Sequence, residues 1–166
     1  MRKLIFLFIF PAFISCMQSS KENSSAAEEK ASMDTVPELA NNAQIEADLK
    51  RKGYKTFSYK SGDTTYLMQE YYMVFLKSGN NRSQDSTEAV QLQKKHLEYL
   101  SWLSKEGYTS LTGPMGDDGE LRGIVVYNTA TAKEADSLAN LDPMVKAGRL
   151  KVEVHPWWVA KGGKLK

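Results

Sequence analysis

Residues 64–77, TTYLMQEYYMVFLK, and residues 87–105, TEAVQLQKKHLEYLSWLSK, decide how this chain folds. The first stretch is dense in aromatic and β-branched side chains and reads as one long strand. In the second, Leu92, His96, Leu100 and Leu103 follow one another at steps of four, four and three. At about 100° per residue they form a narrow stripe, so the segment is an amphipathic helix with His96 on its inward side.

Working outward, Ser78 to Arg82 reads as a loop and Gly107 stops the helix. Tyr108 to Thr112 and Leu121 to Tyr127 read as strands joined by the loop from Gly113-Pro114 to Gly116-Asp117-Asp118-Gly119. A helix follows from Ala132 to Asn140, with Thr131 and Glu134 at capping-box spacing. A short turn over Pro143 to Ala147 leads into a last strand, Leu150 to His155. The order from Thr64 is β-α-β-β-α-β, the ferredoxin-like arrangement of the α+β class, with both helices on one face of an antiparallel sheet. The other face keeps aromatic and aliphatic residues from the long strand, and a homodimer built by sheet-face packing is the expected solution.

Toward the N-terminus, Pro37 to Lys52 reads as a weakly amphipathic helix closed by Gly53. Tyr54 to Tyr59 alternates as a strand, and Ser61-Gly62-Asp63 is a turn. Residues 37–63 therefore form an extension before a domain over 64–160, with a tail at 161–166. Met17 to Met33 is rich in Ser, Glu, Lys and Ala, so residues 16–36 read as a disordered tether. Residues 1–15 have a basic start at Arg2 and Lys3, an apolar run from Leu4 to Ile14 and a small Ser15, the layout of a secretory signal. The run is short for a membrane span, which takes about 20 apolar residues, and it contains Pro11.

The whole chain carries 22 basic and 20 acidic residues. Loss of Arg2 and Lys3 with the leader leaves the mature chain near neutrality, which excludes a nucleic-acid surface built on net charge. The folded portion, roughly 110 to 130 residues, suffices for one domain with one core. The chain has one cysteine, Cys16, directly after the leader, so neither a disulfide framework nor a thiol nucleophile is expected in the domain. Ile14-Ser15-Cys16 resembles the end of a bacterial lipobox, although Phe13 stands where such boxes usually carry Leu. That resemblance implies lipidation at Cys16 and a bacterial cell-envelope protein anchored to a membrane.

A second resemblance covers roughly residues 70 to 158. The run Tyr72-Met73-Val74-Phe75-Leu76, with Arg82, His96-Leu97, Gly107, Gly113-Pro114, Gly123, Asp142-Pro143, Ala147-Gly148 and Pro156-Trp157, is similar to the YCII-related domain family. The resemblance implies a dimeric α+β barrel and a small enzyme with a His-Asp pair, here His96 and Asp142. One relative of the family is a dehydrochlorinase acting on a chlorinated hydroxyquinol.

Each candidate residue also has a structural reading. His96 is either a core histidine satisfied by backbone groups or a general base, and an imidazole beside a carboxylate suits that second role. Asp142 before Pro143 is the pattern of a helix N-cap followed by proline at the first helical position, so it either caps a turn or also orients His96. Asn in its place is expected to weaken activity less than loss of His96. Arg82 is a solvated loop residue or the holder of a substrate carboxylate or phenolate. His155 and Trp157 line a pocket mouth or pack the barrel seam. Two histidines without a ligand spacing give no metal site, no calcium-loop pattern is present, and no cofactor is expected.

Two functions remain open from the residues alone. One is an envelope-anchored enzyme that uses His96 and Asp142 for elimination or isomerisation of a small cyclic or aromatic acid. The alternative is a non-catalytic lipoprotein module that binds a small ligand or a partner.

Overall fold

The computed structural model describes residues 35–163. The expected leader, the lipidated Cys16, the tether up to residue 34 and the end of the tail at 164–166 lie outside the described residues. Helix α1 spans Thr35–Arg51, β1 Thr56–Ser61, β2 Thr64–Ser78, α2 Ser86–Lys105, β3 Thr109–Pro114, β4 Leu121–Tyr127, α3 Ala132–Ala139, α4 Pro143–Lys146 and β5 Leu150–Ala160. Thr35 and Val36 thus belong to α1 and not to the tether, since Pro37 falls in the first turn, where its missing N–H removes no intrahelical bond.

The core sheet runs β5-β2-β4-β3 with every neighbouring pair antiparallel. Together with α2 and α3 this is the ferredoxin-like α+β fold. β2 is long enough to serve three partners. β5 pairs with Met68 to Ser78 along one edge, while β1 and β4 share the other edge over Thr64 to Gln69 and Tyr72 to Lys77. The N-terminal extension is therefore part of the same sheet, and Tyr54 ties it further by donating from its hydroxyl to the Asn128 carbonyl at 3.2 Å.

Strand alternation sorts β2 into two faces. Tyr72, Val74 and Leu76 point to the helices and are buried with Val125, Tyr127 and Leu103. Burying each such side chain is worth about 1.5–3 kcal/mol. Met73 and Phe75 point the other way and are only half-buried. The α2 stripe meets this core as its spacing predicts: Leu103 and His96 are buried, and Leu92 and Leu100 pack beside them. Ala135 and Ala139 let α3 sit close to the sheet.

Local caps follow the sequence. The Glu134 amide donates to the Thr131 hydroxyl at 3.2 Å, and the Glu134 carboxylate accepts from the Ala130 amide at 3.2 Å. One expectation is corrected. The last strand does not end at His155 but continues through Pro156 to Ala160. Among the described residues β5 pairs only with β2, and proline is tolerated where a strand is free on one edge, because its missing donor then removes no ladder bond.

Candidate active site

α2 brings His96 over the helix-facing side of the sheet, and the turn before α4 brings Asp142 up to it. The imidazole Nδ1 lies 2.6 Å from Asp142 Oδ2, with both residues buried, at 8% and 2% exposure. The other carboxylate oxygen, Oδ1, accepts from the Met144 amide at 2.8 Å and caps α4, with Pro143 in the first turn. Asp142 thus has both roles considered from sequence, one for each oxygen. A carboxylate accepts and does not donate, so the bond assigns the proton to Nδ1 and leaves Nε2 with the lone pair.

His96 lines a cleft of about 820 Å³ between α2, the β3–β4 hairpin and the α4–β5 turn. Nε2 makes no hydrogen bond among the described residues. Tyr127 packs in the core beneath, and burial, together with the charges of Tyr99 and Asp142, pushes its hydroxyl above the ordinary phenol range. It is a neutral part of the core and not of the cleft lining. The arrangement supplies an oriented imidazole whose free nitrogen can take up a proton in a partly apolar cleft.

Arg82 also lines this cleft. His155 and Trp157 do not. Of the two placements considered for them, strand phase excludes the mouth of this cleft: Val152 and Val154 face the core, so Glu153, His155 and Trp157 face the opposite side of the sheet. There His155 Nε2 meets Glu153 Oε1 at 2.6 Å, and its ring lies 5.0 Å from that of Phe75. Two arginines that the residue-by-residue reading passed over line the cleft with Arg82. Arg122 is engaged by the hairpin loop, through the Gly119 and Asp117 carbonyls at 3.2 and 3.4 Å. Arg149 follows Gly148, a residue at φ +70° that turns the chain from α4 into β5. An arginine directly after a helix-stop glycine was the available signal. Among the described residues no cluster of three or more His, Cys, Asp or Glu side chains could hold a metal ion.

Comparison with solved structures finds 5-chloro-2-hydroxyhydroquinone dehydrochlorinase from Burkholderia phenoliruptrix in complex with 2,5-dihydroxybenzoquinone. The similarity has a TM-score of 0.41 and 20% sequence identity over 52% of this chain and 92% of that one. At that level the site has to be read from this chain's own residues. Comparison with curated proteins finds no match. The model of the YCII-related domain family matches residues 71–158, more than half of the chain, and includes both members of the buried His96–Asp142 pair. This chain is therefore a member of the YCII-related domain family.

Proposed function

We propose that the cleft is an active site in which His96 acts as general base and acid on a small cyclic or aromatic acid. The observation that carries this reading is the 2.6 Å bond from His96 Nδ1 to Asp142 Oδ2 beside an open cleft. Asp142 holds the ring and favours the imidazolium once Nε2 has taken a proton. In an elimination, Nε2 takes a C–H proton, the C–H pair becomes the new double bond, and the leaving group departs with its own bonding pair. In an isomerisation the proton returns to a different carbon. Family membership supports a small-molecule enzyme of this kind.

The test is proton NMR in deuterated buffer on a panel of cyclic and aromatic acids, together with release of halide from chlorinated members. The parent is expected to wash hydrogen out of at least one panel member, and His96→Gln to slow that exchange about 10²–10⁴-fold with its melting temperature little changed. Equal exchange by both proteins, or unfolding of the variant, would sink the catalytic assignment and favour a binding module.

We also propose that Cys16 carries lipid and holds the domain at a bacterial envelope membrane. The support is the order of basic, apolar and small residues before the only cysteine in the chain. Cys16→Ser is expected to abolish labelling by radioactive palmitate and move the protein out of the membrane fraction; an unchanged distribution counts against the anchor.

A further inference from the structure

Among the described residues, the ionisable ones lining the cleft are Arg82, His96, Arg122 and Arg149, and no carboxylate lines it. Asp142 is engaged by His96 and Asp118 lies 3.8 Å from Arg122 Nη2, so three cations face two neighbouring carboxylates and the site favours negative charge. Arg122 is held by the hairpin carbonyls, which leaves Arg82 and Arg149. Neither makes an ion pair among the described residues.

Arg149 is held in place without being satisfied. Its Nη1 donates to Gln84 Oε1 at 2.9 Å, while its Nε is buried with no acceptor. The surrounding backbone is fixed. Gln84 Nε2 and Asn81 Nδ2 donate to the Ala147 carbonyl at 3.3 and 3.0 Å, and the Gly79 amide donates to the Arg149 carbonyl at 2.8 Å. Arg149 lines the cleft, and with Nη1 anchored its Nε–Nη2 edge carries no partner among the described residues. That edge matches the two oxygens of a carboxylate. Leaving a buried N–H unpaired is unfavourable, and a ligand oxygen on that edge relieves it.

We propose that Arg149, with Arg82 beside it on the α4–β5 side of the cleft, is the element that binds the carboxylate of the substrate, and that Gln84 is its positioning residue. This rests on the reading of the same cleft as the site where His96 works, and it narrows the substrate class to small carboxylates. Because Gln84 and the 79–81 loop hold Arg149 before any ligand arrives, little side-chain freedom remains to be lost on binding.

The test uses the full chain, with benzoate as probe and benzamide as its neutral isostere, read by calorimetry and by thermal shift. The expected result is that benzoate binds and stabilises the parent while benzamide does not. Arg149→Met should weaken benzoate at least about tenfold, the loss typical of a charged hydrogen-bonded partner, and Gln84→Ala about threefold by the loss of positioning alone. Arg149→Lys should fall between parent and Arg149→Met, because it keeps the charge and loses the fork. Since Arg149→Met also removes the unpaired donor, its melting temperature should equal or exceed that of the parent, which a purely structural arginine would not allow. His96→Gln should retain benzoate binding while losing hydrogen exchange, so failure of the base and failure of the arginine are read separately. The proposal is overturned if benzamide binds as well as benzoate, if the parent fails to bind benzoate at millimolar concentration, or if Arg149→Met keeps the parent affinity.

Discussion

At the scale of single residues, the two oxygens of Asp142 have separate partners, and that changes what a conservative substitution does. From sequence, Asp142→Asn looked mild, because Asn also caps a turn. With Oδ1 on the Met144 amide and Oδ2 on His96 Nδ1, an asparagine that keeps the cap must turn its amide nitrogen toward the ring. Two donors cannot face each other, so the ring adopts the tautomer with its proton on Nε2 and loses its lone pair in the cleft. We expect Asp142→Asn to reduce turnover by about 10²–10⁴-fold while costing under about 1 kcal/mol of stability, since the cap remains. Steady-state rates and a denaturant melt on one preparation check both halves. Glu70 offers a separate prediction on pH. It is 7% exposed, and burial pushes its carboxyl up, but hydrogen bonds from Lys55 Nζ at 2.9 Å and from the Tyr72 hydroxyl at 2.7 Å outweigh this and hold it below its ordinary value. A depressed carboxylate stabilises the fold above its unfolded value of 4.5, and that contribution is lost as pH falls through the lower folded value. Its partner behaves in the opposite sense: burial and the Glu70 carboxylate push the Tyr72 hydroxyl up to about 12, so its contribution is complete below 10 and is lost as pH rises toward about 12. Melting curves from neutral pH down to about pH 3 should show the parent losing more stability on acidification than Glu70→Gln. Parallel curves would refute the linkage.

At the scale of elements, the loop after β2 and the turn before β5 behave as one piece. Gly79 is buried against that turn, and a Cβ built on it would overlap the Gly148 carbonyl oxygen and approach the Arg149 carbonyl carbon to 2.6 Å. Backbone atoms cannot rotate away as a side chain can. Gly79→Ala is therefore expected to cost about 1–3 kcal/mol or more, seen as a lower melting temperature, and to weaken benzoate binding because Arg82 and Arg149 flank this contact. A variant that melts with the parent would show the contact to be slack. The same elements mark a limit of reading by neighbours. Proline after His155 looked like a strand end, yet β5 runs four residues further because its free edge needs no donor at Pro156.

At the scale of the whole molecule, the sheet face opposite α2 and α3 is only partly covered among the described residues, with Tyr71 and Val126 buried on it at 8% and 3% exposure. Met73, Phe75 and Ile124 are half-buried there, and Leu111 and Trp157 are 44% and 41% exposed. An apolar face of this kind is usually an interface, and we expect a homodimer through it. Light scattering at micromolar concentration should return twice the chain mass, and Phe75→Glu should halve it. A monomeric parent mass would refute the pairing. Glu153 and His155 share this face and do not line the cleft.

The sequence by itself determined the order and type of the elements, because periodicity and capping depend on residues a few positions apart. The Leu92-His96-Leu100-Leu103 stripe, the Thr131–Glu134 box and the stops at Gly53 and Gly107 were all legible in that way. Only the tertiary structure decided the site. His96 and Asp142 are 46 positions apart, and their contact depends on α4 closing onto α2. The unpaired, buried Nε of Arg149 depends on a loop 65 residues earlier. His155 was legible as a polar residue at a strand end, but its face was settled by register against β2. A shift of one residue reverses every side chain on a strand, and that register follows from packing the whole sheet.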